Sequence, residues 1–365
     1  MSGSHPIGVG VIGCGEIAQL MHLPFLAELP ETSIAAVCDL SAGTVDAIGE
    51  RFGVKARYTS AADLVADPGV EAVVVCTYDH TGVALAALNA GKHVLIEKPL
   101  AFTPDQGAEL VAAARAAGVV ASIGYMKLYD PAFELARQLI HDAGPARARQ
   151  MHNLAGRFDT YRSLYTQSRV PDVPQQTIDA ERSAVTALTG RLLGPDHAGW
   201  TQLYLTLLML GSHDLAVMRS TFGTPSRVSY AAAPSDSQLL AVLDYPAGPP
   251  CVFELGVGTR YRWWDEWLAV ATDEVQIRIN FSHPYIRYLP SSVAVRETRY
   301  DSPADTVLPV SSDEPFRREL LQFVGAIRGM QPTRTPIEDG LRDLELAIAL
   351  IRALPPKPEA TGGGQ

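Results

Sequence analysis

The apolar run Ile7–Ile12 leads directly into Gly13-Cys-Gly15-Glu-Ile-Ala18, a G-x-G-x-x-A turn. Few folds can use such a sequence. Gly13 permits a tight turn, Gly15 lets the backbone approach a pyrophosphate, and Ala18 lets helix and strand pack closely. The N–H groups of Glu16 and Ile17 then face the anion. Some eighty residues on, His93-Val-Leu-Ile-Glu97-Lys98-Pro-Leu100 puts a lysine just past the end of another buried strand. Ligands of open parallel sheets bind at that carboxyl edge. A cofactor cradle and a proton-transfer group on one edge point to a nicotinamide oxidoreductase.

The rest of the first 125 residues keeps this grammar. Apolar strands at Ile34–Cys38, Val70–Cys76, Val94–Glu97 and Val119–Ile123 alternate with helices at Glu16–Leu29, Ser41–Phe52, up to Leu88, and Thr103–Ala117. Strands buried on both faces read as unbroken Val/Ile/Ala runs, and the βα alternation predicts a doubly wound parallel sheet. After Tyr125 the pattern changes. A helix at Pro131–His141 and a strand at Arg147–Leu154 precede a polar, proline-punctuated stretch, 159–200, that is helical from Asp179 to Leu193. Trp200–Phe222 is apolar and helical. Strand-like segments from Arg227 to Val295, broken by turns such as Tyr245-Pro-Ala-Gly-Pro-Pro250, predict an antiparallel sheet. Helices near Glu314–Arg328 and Pro336–Ala353 close the chain. The expected division is a dinucleotide-binding domain over 1–125, an α+β domain with a large open, mostly antiparallel sheet over 126–354, and a disordered tail over 355–365. One face of that second sheet needs a cover, so a homodimer or homotetramer built through it is expected.

Composition removes several function classes. The 365 residues are 47% hydrophobic and 19% charged, with a net charge of −10. That balance argues against nucleic acid, which calls for clustered Lys and Arg. No apolar run approaches the roughly 20 residues of a membrane span. The start, Met-Ser-Gly-Ser-His-Pro, has no basic region followed by an apolar stretch, so no leader is expected. Cys14, Cys38, Cys76 and Cys251 show no C-x-x-C spacing. Reduced thiols in a cytoplasmic protein, with no metal site, are the expectation.

The candidate chemistry clusters at strand ends. Asp39 ends the second strand, where a carboxylate accepts hydrogen bonds from a ribose and repels a 2′-phosphate. NAD is therefore favoured, with NADP possible through Ser41 and Arg51. Thr77 and Tyr78, after Cys76, can flank the nicotinamide. His80 comes next, as either a site residue or a surface residue at a helix start. Glu97 can bond a ribose or orient Lys98, and a desolvated lysine exchanges protons near neutral pH. A cis bond before Pro99 can aim Lys98 into a cleft. His213 and Asp214 lie inside the apolar segment Leu203–Met218, where such a pair is costly unless it faces a cavity or finds partners. Tyr261-Arg-Trp-Trp-Asp-Glu-Trp267 either lines a sugar-sized pocket or packs at an interface.

Taken together, the motifs resemble the glucose–fructose oxidoreductase, inositol dehydrogenase and MocA-like (Gfo/Idh/MocA) family. The resemblance rests on Gly13/Gly15/Ala18, Asp39, Glu97-Lys98-Pro99, Gly124-Tyr125-Met-Lys127-Leu-Tyr-Asp-Pro131, Gly211-Ser-His213-Asp214, and the closing pattern Phe316…Phe323…Ile327-Arg-Gly329…Asp339-Gly340. It implies a Rossmann domain joined to an open-sheet domain, and hydride transfer between NAD(P) and a ring hydroxyl or ketone of a sugar, aminosugar or cyclitol. Lys98 and His213 match the family's lysine and histidine. Tyr125, Lys127 and Asp214 are candidate substrate contacts.

Two positions depart from the pattern. Met209 stands where the family commonly has an aspartate four residues before the histidine. Thr77-Tyr-Asp-His-Thr-Gly82 replaces a common Thr-Pro-x-x-x-His. Arg157, Arg162, Arg169 and Arg182 in and near the polar stretch could meet an anionic substrate. Three functions stay open: a dehydrogenase or ketoreductase, an enzyme that retains its cofactor and oxidises transiently (epimerisation, elimination or glycoside cleavage), and a non-catalytic dinucleotide-sensing protein.

Overall fold

The computed structural model describes residues 5–157, 161–258, 260–357 and 359. The expectations for the first four residues, for 158–160 in the polar stretch and for most of the 355–365 tail lie outside them. The chain divides into two units. The first comprises Met1–Tyr125, Ser163–Ala187 and Phe316–Leu344; the second comprises Met126–Arg162, Leu188–Pro315 and Glu345–Gln365. The sequence pattern runs a second domain unbroken from 126 to 354, whereas the structure places 163–187 and 316–344 with the first unit.

The first unit holds six parallel strands: β1 (Ile7–Ile12), β2 (Thr32–Cys38), β3 (Ala56–Tyr58), β4 (Ala72–Val75), β5 (His93–Glu97) and β6 (Ala121–Gly124). Their order is β3-β2-β1-β4-β5-β6, with the reversal at β1/β4. Every residue of β1 and β4 is buried, because helices cover both faces. Each valine or isoleucine buried this fully contributes roughly 1.5–3 kcal/mol relative to exposure. The helix after β1 is wound as a π-helix over Ala18–His22 before α1 (Leu23–Glu28). Ser41 caps α2 (Ala42–Phe52), accepting from the Thr44 N–H. Strand β3 and the helix Ala61–Ala66 are too short to show a period and carry no apolar run. The C-terminal helices join this unit through close packing. Gly107 faces Leu341 and Leu344, Gly340 faces Ile123 and Leu100, and the Ile123 N–H donates to the Thr335 carbonyl at 2.9 Å.

The second unit is built on eight strands: β7 (Ala148–Leu154), β8 (Arg227–Ser235), β9 (Gln238–Asp244), β10 (Cys251–Gly256), β11 (Asp265–Ala271), β12 (Val275–Asn280), β13 (Ser292–Arg299) and β14 (Ser302–Leu308). The order is β14-β13-β12-β11-β7-β10-β9-β8. Only β7 and β10 pair in parallel; the other pairings are antiparallel. Alternation decides the faces. Met151, Phe253, Leu268 and Ile277 point into the core, while His152, Glu254, Trp267 and Arg278 occupy the other face.

Part of the tail expected to be disordered is docked. Trp200 Nε1 donates to the Pro355 carbonyl at 2.9 Å, and the Gly199 N–H donates to the Lys357 carbonyl at 2.8 Å. Among the described residues no helix is long and apolar enough to cross a membrane.

Candidate functional site

In the first unit the glycine turn has the geometry its spacing implies. Gly13 has φ +90°, and a Cβ there would lie 2.6 Å from the Cys76 backbone, so only glycine fits. A Cβ at Gly15 would meet nothing within 4 Å, which leaves the backbone there open to a ligand. Glu16 and Ile17 begin the helix behind this opening. Asp39, at the end of β2, accepts from the Cys14 N–H at 2.7 Å and from the Ser41 N–H at 3.0 Å. Those bonds fix the carboxylate and leave lone pairs for a diol. Thr77 Oγ1 donates to the Asp79 carbonyl at 2.7 Å, and Tyr78 packs on Phe102 with ring centres 5.3 Å apart. An open glycine turn, a helix N-terminus and an anchored carboxylate in this order fit a dinucleotide.

Lys98 comes directly after β5, is half-buried, and precedes a cis bond to Pro99. Beneath it lies a buried polar group that sequence reasoning missed in part. Glu97 is 6% exposed; its Oε1 meets His22 Nε2 at 2.7 Å and its Oε2 accepts the Lys98 N–H at 3.2 Å. Burial pushes Glu97 up, but the hydrogen bond and charge of His22, with Lys98 and His80, hold it below the ordinary glutamate range. It is a carboxylate at neutral pH, a fixed counter-charge for Lys98. His22 itself is fully buried on the π-helical turn. Its one available signal was an ionisable residue inside the apolar run Leu20–Leu26.

His80 is not a surface residue. It is 4% exposed and its ring bonds the Lys98 backbone. Burial drives its pKa from 6.5 down to about 4, so it is neutral near pH 7. A folded-state value below the unfolded one means stability that is present above the unfolded pKa and lost as pH falls toward 4. Between about pH 7 and about pH 4.5, the wild type should lose about 2 kcal/mol more stability than His80→Asn. Urea denaturation of both proteins at the two pH values checks this; equal losses would refute it.

The second unit carries its own polar centre. Lys127, on the 3₁₀ turn Met126–Tyr129, pairs with Glu266 of β11, and both are buried. Trp264 Nε1 donates to Glu266 Oε2 at 2.6 Å. Asp214 is fully buried, accepts from Asn153 Nδ2 at 2.9 Å and bonds Glu266. Burial, then the Glu266 charge, pushes Asp214 well above the ordinary carboxyl range and so favours its neutral form. Tyr125, Lys127 and Asp214, expected as substrate contacts, are 1%, 4% and 0% exposed. Their side chains face protein.

His213 is half-buried, one residue after the first residue beyond the π-helical turn Leu207–Gly211. Met209 lies on that turn and is 39% exposed. The wider winding means that its four-residue spacing to His213 departs from α-helical geometry. The aromatic run divides. Trp263 stacks on Tyr261, Trp264 meets His283 edge-on, and Trp267 is sandwiched by His152 and Arg278. Arg169 pairs with Glu16 at 3.3 Å, and the Arg182 charge acts on Tyr78. The Arg157 N–H donates to the Tyr261 carbonyl at 2.9 Å; the Arg162 side chain lies outside the described structure.

Comparison with known proteins agrees with the first unit's geometry. Residues 7–125 match the oxidoreductase family with an NAD-binding Rossmann fold. Inositol 2-dehydrogenase of Ralstonia nicotianae is 32% identical over 179 residues, 48% of this chain and 53% of that protein. D-glucoside 3-dehydrogenase of Escherichia coli is 33% identical over 122 residues, 32% of this chain and 34% of that protein. The chain thus spans about half the length, or less, of the curated relatives it matches. A 3-ketoreductase from Actinomadura kijaniata, solved with NADP and TDP-benzene, superposes with a TM-score of 0.72 at 22% identity, covering 96% of this chain and 98% of that one. At that identity the likeness speaks for the fold, which extends through both units. Over residues 7–125, with their glycine turn, Asp39 and Glu97-Lys98-Pro99, the chain is similar to the NAD-binding Rossmann oxidoreductases of the Gfo/Idh/MocA family.

Proposed function

We propose that the protein is an NAD-dependent dehydrogenase or ketoreductase acting on a ring hydroxyl or ketone of a sugar, aminosugar or cyclitol. The observation that carries this is Lys98, set at the carboxyl edge of the sheet over the ionised Glu97. Gly13, Gly15, Glu16, Ile17 and Asp39 would hold the dinucleotide, with Thr77 and Tyr78 toward its nicotinamide. When bound, the nicotinamide supplies hydride transfer. Lys98 Nζ exchanges the proton of the reacting oxygen. Glu97 sets a negative charge beside Lys98, and neutral His80 anchors the Lys98 backbone. His213 orients the substrate. Tyr125, Lys127 and Asp214, buried against protein, act structurally. The named relatives, which act on inositol and glucosides, support this substrate class.

Asp39 implies a cofactor preference. NADH should bind at least about tenfold tighter than NADPH, about 1.4 kcal/mol. Calorimetric titration checks it, and equal or tighter NADPH binding would be decisive against it. Net NADH formation on a panel of cyclitols and hexoses separates this reading from the cofactor-retaining and sensing alternatives.

The same reading makes the protein a cytoplasmic homo-oligomer. Its four cysteines are free. The sheet face bearing Trp267, Val252 and Arg278 is the surface that a second copy would cover. Light scattering should give a dimer or tetramer, and a stable monomer at micromolar concentration would contradict it.

A further inference from the structure

Residues 166–172 lie about forty positions beyond the Rossmann sequence, yet they bond to its cofactor edge. Gln19 on the glycine-turn helix pairs with both backbone groups of Ser168: its Nε2 donates to the carbonyl at 2.8 Å, and its Oε1 accepts the N–H at 2.8 Å. Arg51 donates to the Thr166 carbonyl at 2.9 Å, and Gln167 donates to Glu16 at 3.1 Å. The Val170 N–H donates to Thr44 Oγ1 at 3.2 Å, and Val170 crowds Gly43 so closely that a Cβ there would lie 2.6 Å from its Cγ1. The segment ends with Asp172, whose Oδ2 accepts the Gly43 N–H at 2.8 Å, while the Ser41 hydroxyl beside it donates to Thr44 Oγ1 at 2.7 Å.

Ser41 caps α2 and Gly43 is its second residue, so these groups form the positive N-terminal end of an eleven-residue helix. That end comes directly after Asp39. One turn holds the two acids: the Ser41 N–H donates to Asp39 and the Gly43 N–H donates to Asp172. In the dinucleotide reading above, on which this inference rests, Asp39 meets the adenosine ribose. A phosphate on the ribose 2′-oxygen would need the Ser41 hydroxyl and the Gly43 N–H as donors. The Gly43 N–H is already held by the Asp172 carboxylate, the Ser41 hydroxyl is engaged by Thr44 Oγ1, and Arg51, the nearby cation expected to receive such a phosphate, is tied to the same segment.

We propose that Asp172 is a specificity-determining residue for the cofactor: it occupies the Gly43 N–H at the start of α2, adds a second negative charge beside Asp39, and so excludes the 2′-phosphate of NADP. A residue some 130 positions from the strand end thereby does what is ordinarily read from the strand end alone.

The test is calorimetric titration of NADH and of NADPH into the full-length wild type, Asp172→Asn and Asp172→Ala. The first variant keeps the side chain's shape and removes its charge; the second also removes its contacts. Asp172 is exposed and outside the proposed catalytic machinery, so NADH affinity should stay within about threefold of wild type and report an intact fold. The ratio of NADPH to NADH dissociation constants should fall about tenfold in Asp172→Asn and further in Asp172→Ala. A ratio within about twofold of wild type in Asp172→Ala, with NADH still bound, overturns this inference and leaves the dinucleotide reading standing. Wild-type protein that binds neither nucleotide overturns that reading and this inference with it.

Discussion

Lys98→Ala should lose roughly 10²–10⁴-fold in kcat on the substrate the enzyme turns over, the contribution of one positioned acid–base group. NAD affinity should stay nearly unchanged, because in the proposed function Gly13, Gly15 and Asp39 would hold the dinucleotide without it. Glu97 sharpens this expectation. Its carboxylate stays ionised next to Lys98, so removing the lysine removes the proposed proton-transfer group and leaves its counter-charge in place. His213→Ala should cost less in kcat and more in KM, as expected of a residue that orients substrate. Initial-rate kinetics with NAD and a cyclitol or hexose substrate provide the measurement. If Lys98→Ala keeps more than about a tenth of wild-type kcat, well short of the expected loss, Lys98 is not the proton-transfer group.

The second large effect is on stability. Lys127 and Glu266 are buried together, with Asp214 and Asn153 completing the cluster. Lys127→Met leaves Glu266 without its cation in a site that water does not reach. Removing one partner of a buried ion pair costs about 3–5 kcal/mol, because the remaining charge is uncompensated. Adding Glu266→Gln to Lys127→Met should recover much of that loss, since a neutral pair needs no compensation. Urea denaturation of the two single variants and the double variant measures the cycle. A loss below about 1 kcal/mol in Lys127→Met would show that the pair is not a stabilising element. Lys127, expected as a substrate contact, is buried: its ammonium lies over the Phe281 ring at 5.0 Å and faces Glu266.

Much of the first unit was legible because its signals are local. A strand covered on both faces must be apolar along its length, so β1, β2, β4, β5 and β6 read directly as Val/Ile/Ala runs. A turn that needs φ +90° against a neighbouring backbone needs glycine, so Gly13 was readable from one position and its spacing. Ser41 as an N-cap was equally local. Strand β3, with three residues, had no period to read. The faces of the eight-stranded sheet were only half readable, since alternation shows that one face is buried but not what lies against it.

By itself, then, the sequence determined the parallel dinucleotide-binding sheet, the order of its elements, the lysine at its edge and the antiparallel character of the second sheet, because each depends on residues within a turn or a strand of one another. Tertiary structure alone decided which polar groups became partners. His22 reaches Glu97 across 75 positions, Lys127 reaches Glu266 across 139, and Asp172 reaches Gly43 across 129. A buried polar group must find a partner, but nothing in its own neighbourhood says which one. The partner is chosen when the chain closes on itself, and so His80 became a buried neutral ring, Asp214 a buried core acid, and part of the polar stretch a neighbour of the turns after β1 and β2.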